Sequence, residues 1–132
     1  MAIEKDGRIS IWIGKTPKNI SDYYNYFDQE KHGENCGLCQ DLKITWYDED
    51  KFSPFYSETE LTASEIFNEI PFIECFEEEI NKDCKTLKID QANACFCLLD
   101  FDAELTPGKI FNDIAFIGAY NYDTQALNEL IN

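Results

Sequence analysis

Residues 8–14 carry the first clear pattern in the chain, an alternation of apolar and polar positions. Isoleucines recur at every second residue from Ile9 to Ile13, and Trp12 falls on the opposite face of an extended segment. Such a period of two is typical of a β-strand, which Gly14 ends.

The next segment changes to the period of a helix. Thr16 is a suitable N-cap and Pro17 suits the first helical position. Apolar residues then follow at i, i+3, i+4 and i+7, and these are Ile20, Tyr23, Tyr24 and Phe27. We predict an amphipathic helix that ends near Gly33.

A loop and a third element follow. Residues 32–41 are polar and contain two glycines, which favours a loop. Leu42, Ile44 and Trp46 alternate with polar neighbours and predict a half-buried strand. The segment Tyr47–Asp50 then predicts a turn.

Two helical stripes occupy residues 62–83. Thr62 and Glu65 have the spacing of a capping box, and Pro71 must end or kink the helix that they begin. A second helix is predicted from Phe72, with an apolar stripe facing the core. Three glutamates are predicted on its exposed face, and these are Glu74, Glu77 and Glu78.

Residues 94–101 and 114–122 are apolar on both faces, which is typical of central strands, and we predict that they are neighbours in the sheet. Thr124 is a suitable N-cap for a last short helix. The pattern predicts one α+β domain over residues 1–132. We expect a mainly antiparallel sheet of about four strands, with helices 17–30 and 62–83 packed on one face.

The charge is distributed unevenly along this pattern. Of the formal net charge of −15, a net −10 lies in residues 48–83, which contain twelve acidic residues and two lysines. An acidic surface repels nucleic acid and anionic lipid and attracts a basic protein surface. The other interpretation is a solvated face that only keeps the protein soluble.

Candidate chemistry is sparse. His32 is the single histidine, and no motif for a nucleophile or a phosphate loop accompanies it, so we predict no catalytic residue, no cofactor and no enzyme activity. Cys36 and Cys39 with His32 supply three zinc ligands where a closed site needs four, so no metal is predicted. A redox pair is disfavoured, because these cysteines follow a predicted helix instead of opening one. The remaining alternative is a small redox or zinc-binding protein that uses the Cys36 and Cys39 loop.

Cellular location follows from two further features. No stretch is long and apolar enough to span a bilayer, and no signal region precedes the first strand. Cys75, Cys95 and Cys97 lie in periodic apolar segments, as expected of reduced core residues. We therefore predict a cytoplasmic protein with no membrane contact.

Three segments in order resemble the immunity protein 22 family: Ile9–Gly14, Tyr47–Asp50 and Phe116–Gly118. The chain is similar to that family over residues 8–122. The resemblance implies a small bacterial α+β protein that neutralises a toxin of a polymorphic or contact-dependent system and is usually encoded beside that toxin. It implies no catalytic residues, and the stretch from His32 to Gln40 matches no pattern of the family.

The resemblance and the charge together predict the partner and the surface. We expect a cognate protein toxin with a basic surface, for instance a nuclease, whose cleft must be positive to hold phosphates. Aromatic anchors within an acidic rim are expected to bind it. The candidate toxin-binding residues are Tyr47, Asp48, Glu49, Asp50, Tyr56, Glu74, Glu77 and Glu78.

Overall fold

The computed structural model describes residues 3–123, which form an antiparallel sheet with helices on both sides. The strand order is β2-β3-β1-β5-β4. The strands are β1 (Ile3–Gly14), β2 (Phe52–Thr62), β3 (Gln91–Asp102), β4 (Ile110–Phe111) and β5 (Ile114–Asn121). The α+β class is confirmed, with five strands in the described part of the chain where about four were expected.

The helices are short and lie in two groups along the chain. The first group is α1 (Ile20–Asn25), α2 (Gln29–His32) and α3 (Gly37–Leu42), and the second is α4 (Ala63–Phe67) and α5 (Glu77–Thr86). Three 3₁₀ turns accompany them, at Gly33–Asn35, Glu49–Lys51 and Ile73–Cys75. Within residues 3–123 no helix is long and apolar enough to cross a membrane.

The central strand β1 is buried on both faces. Its alternation is confirmed, because Ile9, Ile11 and Ile13 pack in one hydrophobic cluster and Trp12 packs in the other. The Trp12 ring stacks on Phe96, with ring centroids 4.6 Å apart. The two clusters therefore lie on opposite faces of the sheet.

The predicted packing of all helices on one face is wrong. Tyr23 of α1 and Leu38 of α3 pack with Trp12, whereas Ile66 of α4 and Ile80 of α5 pack on the opposite face. A sheet whose central strands are apolar on both sides must be covered on both sides. The two groups of helices meet this requirement by dividing between the faces.

The predicted pairing of residues 94–101 with 114–122 is also wrong. β1 lies between β3 and β5, and pairs antiparallel with each of them. An apolar pattern on both faces identifies an internal strand, but it does not say which strand is the neighbour.

The predicted strand over Leu42–Trp46 does not form. Leu38, Cys39 and Leu42 instead share the buried face of α3, and the C-cap Lys43 stops this helix in the left-handed conformation with a φ of 60°. The strand that follows α3 in the chain is β2 (Phe52–Thr62), which the sequence pattern did not predict. Pro54 disfavours a strand here because proline has no backbone N–H to donate. It is tolerated because β2 lies at the edge of the sheet.

The second pair of helices agrees with the pattern more closely. The capping box of Thr62 and Glu65 is present, as predicted. After Pro71 the chain makes a 3₁₀ turn before α5 begins at Glu77, so the second helix starts later than expected. The helix predicted from Thr124 lies outside the described residues.

Asp100 joins three distant segments at a bulge in β1. Residues 5–8 have no paired partner in β3, and there the Gly7 amide donates to Asp100 Oδ1 over 2.9 Å. The Tyr122 hydroxyl donates to the same oxygen, and Lys51 Nζ lies 3.1 Å from Oδ2. Burial opposes ionisation of Asp100, but these three partners outweigh it and lower the pKa of the carboxyl.

We predict that Asp100→Asn destabilises the protein by roughly 1–3 kcal/mol at neutral pH, because three donors lose a charged acceptor. The folded pKa is lowered, so this stabilisation is complete above about pH 4 and is lost as the pH falls through the folded pKa. Urea unfolding at pH 7 and at acid pH measures both effects. The exposed Asp90→Asn is the control, and a loss for Asp100→Asn that does not shrink in acid would contradict the assignment.

Candidate functional site

The acidic segment 48–83 contributes to two surfaces on opposite sides of the sheet. We call the first the turn surface, and it consists of Glu30, Trp46, Asp48, Glu49 and Asp50. The second, the helix surface, consists of Glu74, Glu77 and Glu78. The turn surface follows Tyr47, which packs in the Trp12 cluster, and the helix surface flanks Phe76, which packs in the opposite cluster.

The turn surface is built on a capped 3₁₀ turn. The side chain of Asp48 accepts from the Asp50 amide over 3.0 Å and begins the turn Glu49–Lys51. Asp48 is half-buried, whereas Glu49 and Asp50 are exposed. The turn therefore presents two carboxylates to solvent and uses the third to hold its own backbone.

Tyr47, a candidate toxin-binding residue, is buried in the structure. Its side chain is 4% exposed, its hydroxyl donates to the Phe27 carbonyl, and its ring packs 5.2 Å from that of Phe52. Burial raises the pKa of the phenol. No strand forms here to give Tyr47 a polar face, and the segment folds back onto the core.

Tyr56 is half-buried and also has an internal partner. Its hydroxyl donates to the Lys18 carbonyl over 2.7 Å, and its ring lies 5.5 Å from that of Tyr23. These contacts join the edge strand β2 to the segment that leads into α1. Only part of the Tyr56 ring is available to a partner.

The exposed aromatic residue beside the acidic turn is Trp46, which the pattern placed in the core. It is 61% exposed, the highest value among the large hydrophobic residues in the described part of the chain. Residues 42–46 were interpreted with a period of two, and this period assigned Trp46 to a buried face. The adjacent acidic run is no signal of this exposure, because Tyr47 borders the same run directly and is buried.

The helix surface agrees with the sequence prediction. Glu74 precedes α5 in a 3₁₀ turn, and Glu77 and Glu78 lie in its first turn. All three side chains are exposed. Glutamates near a helix N-terminus also interact favourably with the helix dipole, which accounts for part of this charge without any partner.

The paired cysteines lie at the start of a helix, contrary to expectation. Cys36 is the N-cap of α3, and its sulfur accepts from the Cys39 amide over 3.3 Å. Both side chains are buried, and burial together with the hydrogen bond to Cys36 raises the pKa of Cys39 to about 12. A thiol with such a pKa is a poor nucleophile at neutral pH, and α3 has only six residues.

His32 does not join these cysteines in a metal site. Its Nε2 lies 3.0 Å from Asn25 Oδ1. No group of three or more histidine, cysteine or acidic side chains suited to a metal ion occurs between residues 3 and 123.

Comparison with known families adds the information that the geometry lacks. A family model described as Immunity protein 22 matches residues 9–123. The chain belongs to this family. No curated protein and no solved structure matches the chain.

The three segments that resemble the immunity protein 22 family have different structural roles. Ile9–Gly14 forms the buried part of β1, and Phe116–Gly118 lies in β5 beside it. Tyr47–Asp50 leaves the core at Tyr47 and enters the turn surface at Asp48. Two of the three segments therefore build the sheet, and the third connects the hydrophobic core to the turn surface. The family match supports an immunity-protein role for the chain.

We predict that the cysteines of this immunity protein are inert, apart from Cys75. The expectation that Cys75 lies in the core is wrong, because it falls in the 3₁₀ turn Ile73–Cys75 before α5 and is exposed, whereas the other five cysteines are buried. Iodoacetamide at pH 8 should therefore add one group rapidly and five more only after unfolding in urea. Intact mass spectrometry counts the adducts, and Cys75→Ser should remove the rapid one. Rapid modification of Cys36 or Cys39 in the folded protein would instead support the redox interpretation.

Proposed function

We propose that this protein binds a cognate bacterial toxin and neutralises it by contact, without catalysis of its own. The family match over residues 9–123 carries the proposal. An inhibitor that acts by contact needs a stable fold and a complementary surface. The buried two-sided sheet supplies the first, and the exposed acidic residues support the second.

The charge supports a toxin with a basic surface, for instance a nuclease. A nuclease must hold phosphates and therefore has a positive cleft, which an acidic protein can occupy or block. The net charge of −15 also raises the rate at which a basic partner arrives. It disfavours binding of the protein itself to nucleic acid or to an anionic membrane.

We place this interaction in the bacterial cytoplasm, where a toxin that has entered the cell would act. The six cysteines are free thiols in the structure, and such thiols are stable in a reducing compartment.

Co-expression tests the proposed function directly. The C-terminal domain of the toxin encoded next to this gene should stop growth when it is produced alone. Growth should recover when this protein is produced with it, and the two proteins should elute as one complex in size-exclusion chromatography. Neither rescue nor a complex would contradict the proposal.

The helix surface gives a prediction about association kinetics. Replacing Glu74, Glu77 and Glu78 by Lys changes the charge by six units at exposed positions, so the protein should still fold. At about 10 mM salt the electrostatic field extends about 30 Å, so association with the toxin domain should slow by roughly ten- to a thousand-fold. Dissociation should change little if contact lies elsewhere.

Stopped-flow association across a salt series measures this effect. The wild-type rate should fall steeply as salt is added, and the rate of the lysine variant should not. A matched variant with Gln at the same three positions changes the charge by half as much and should lie between the two. Equal association rates for all three proteins at low salt would show that the helix surface is only a solvated face.

A further inference from the structure

Trp46 is the one large apolar residue of the two acidic surfaces, and most of it is exposed to solvent. None of the large hydrophobic residues that are exposed within residues 3–123 belongs to segment 63–86, so the helix surface has no comparable group. Tryptophan is among the residue types enriched at interface positions that dominate binding energy. The two acidic surfaces therefore differ in the chemistry that they offer to a partner.

The segment that carries Trp46 is held firmly on the core. The side-chain amide of Gln29 brackets Tyr47: its Oε1 accepts from the Tyr47 amide over 3.1 Å, and its Nε2 donates to the Tyr47 carbonyl over 2.9 Å. The Tyr47 hydroxyl is bound to the Phe27 carbonyl. Because Tyr47 is fixed at its backbone and at its ring, Trp46 is held outward on a rigid support, which lowers the entropy cost of binding.

Carboxylates surround Trp46 on two sides. One shallow depression beside it is lined by Glu30, Asp48, Glu49 and Asp50. A second depression shares Trp46 and Asp48 and also contains Glu4 and Asp100. Lys51 also lines this second depression, but its charge is paired with Asp100, with Nζ 3.1 Å from Oδ2. An exposed indole in a ring of negative charge is complementary to arginine or lysine, which binds carboxylates and stacks on the indole face.

We propose that Trp46 anchors the toxin, and that the turn surface is the contact site for a basic, arginine-bearing patch of the toxin. This inference rests on the proposed function and assigns it a surface. Tyr47 and Gln29 are then positioning residues that hold the anchor. A second copy of the same chain is a poor occupant, because a net charge of −15 makes two copies repel each other.

Alanine at Trp46 is the first test, with the toxin domain encoded beside the gene as the probe. Trp46→Ala should weaken binding about 30-fold or more, mainly by faster dissociation, while the urea midpoint of unfolding stays at the wild-type value. Trp46→Phe should recover part of the affinity. Ile110→Ala is the matched control, because Ile110 is 57% exposed on the distant strand β4 and its loss should leave affinity unchanged.

A pair of charge reversals separates contact from long-range attraction. Replacing three acidic residues of the turn surface (Glu30, Glu49 and Asp50) by Lys changes the charge by six units. The lysine variant of the helix surface changes it by the same amount. Both variants should slow association at low salt. Only the turn-surface variant should also speed dissociation, and this difference should persist at high salt, where the field of distant charges is screened.

Fluorine NMR locates the contact without any mutation. The chain has two tryptophans, Trp12 fully buried and Trp46 exposed, so 5-fluorotryptophan gives two ¹⁹F signals. Unlabelled toxin domain should shift the Trp46 signal, assigned with Trp46→Phe, and leave that of Trp12 in place.

The outcomes distinguish this inference from the proposed function. A wild-type protein that neither binds nor protects contradicts both. A wild-type protein that binds, with an unshifted Trp46 signal and full affinity in Trp46→Ala, contradicts the inference and leaves the proposed function standing. Formation of a dimer that Trp46→Ala abolishes, with toxin binding unaffected, would assign the surface to a second copy and also overturns the inference.

Discussion

The structure depends on the burial of β1 on both faces. A strand with isoleucines on one side and Trp12 on the other cannot lie at a surface, and it pairs with β3 and β5 at the centre of the sheet. Each face then needs its own cover, which divides the helices into two groups. The chain passes from one face to the other through the edge strand β2, and the acidic residues on either side of β2 are separated as a result.

This separation changes the meaning of the charge. Twelve acidic residues in one stretch of sequence suggest a single patch, but the fold places Glu49 and Glu77 with different hydrophobic clusters on opposite faces. The helix surface is a set of exposed glutamates on a helix, which many soluble proteins have. The turn surface combines carboxylates with an exposed indole, and tryptophan is a residue type enriched among binding hot spots.

Polar side chains fix the places where regular structure ends. Gln29 binds both backbone groups of Tyr47 between α3 and the 3₁₀ turn Glu49–Lys51, and Asp100 binds the Gly7 amide where β1 is interrupted by a bulge. Buried polar groups without partners are costly, so each of these irregular segments persists because its donors and acceptors are satisfied. The same bonds give the surface around Trp46 a rigid base.

The sequence by itself determined what local spacing can encode: the alternation of Ile9–Ile13, the capping box at Thr62, the exposed glutamates of α5 and the family of the chain. It could not determine which strand pairs with which, because burial on two faces does not name a neighbour. It also could not place Trp46 and Tyr47. The alternation of Leu42, Ile44 and Trp46 fits a strand and the end of a helix equally well. Only the packing of α3 in the Trp12 cluster decided that Tyr47 is buried and that Trp46 is exposed.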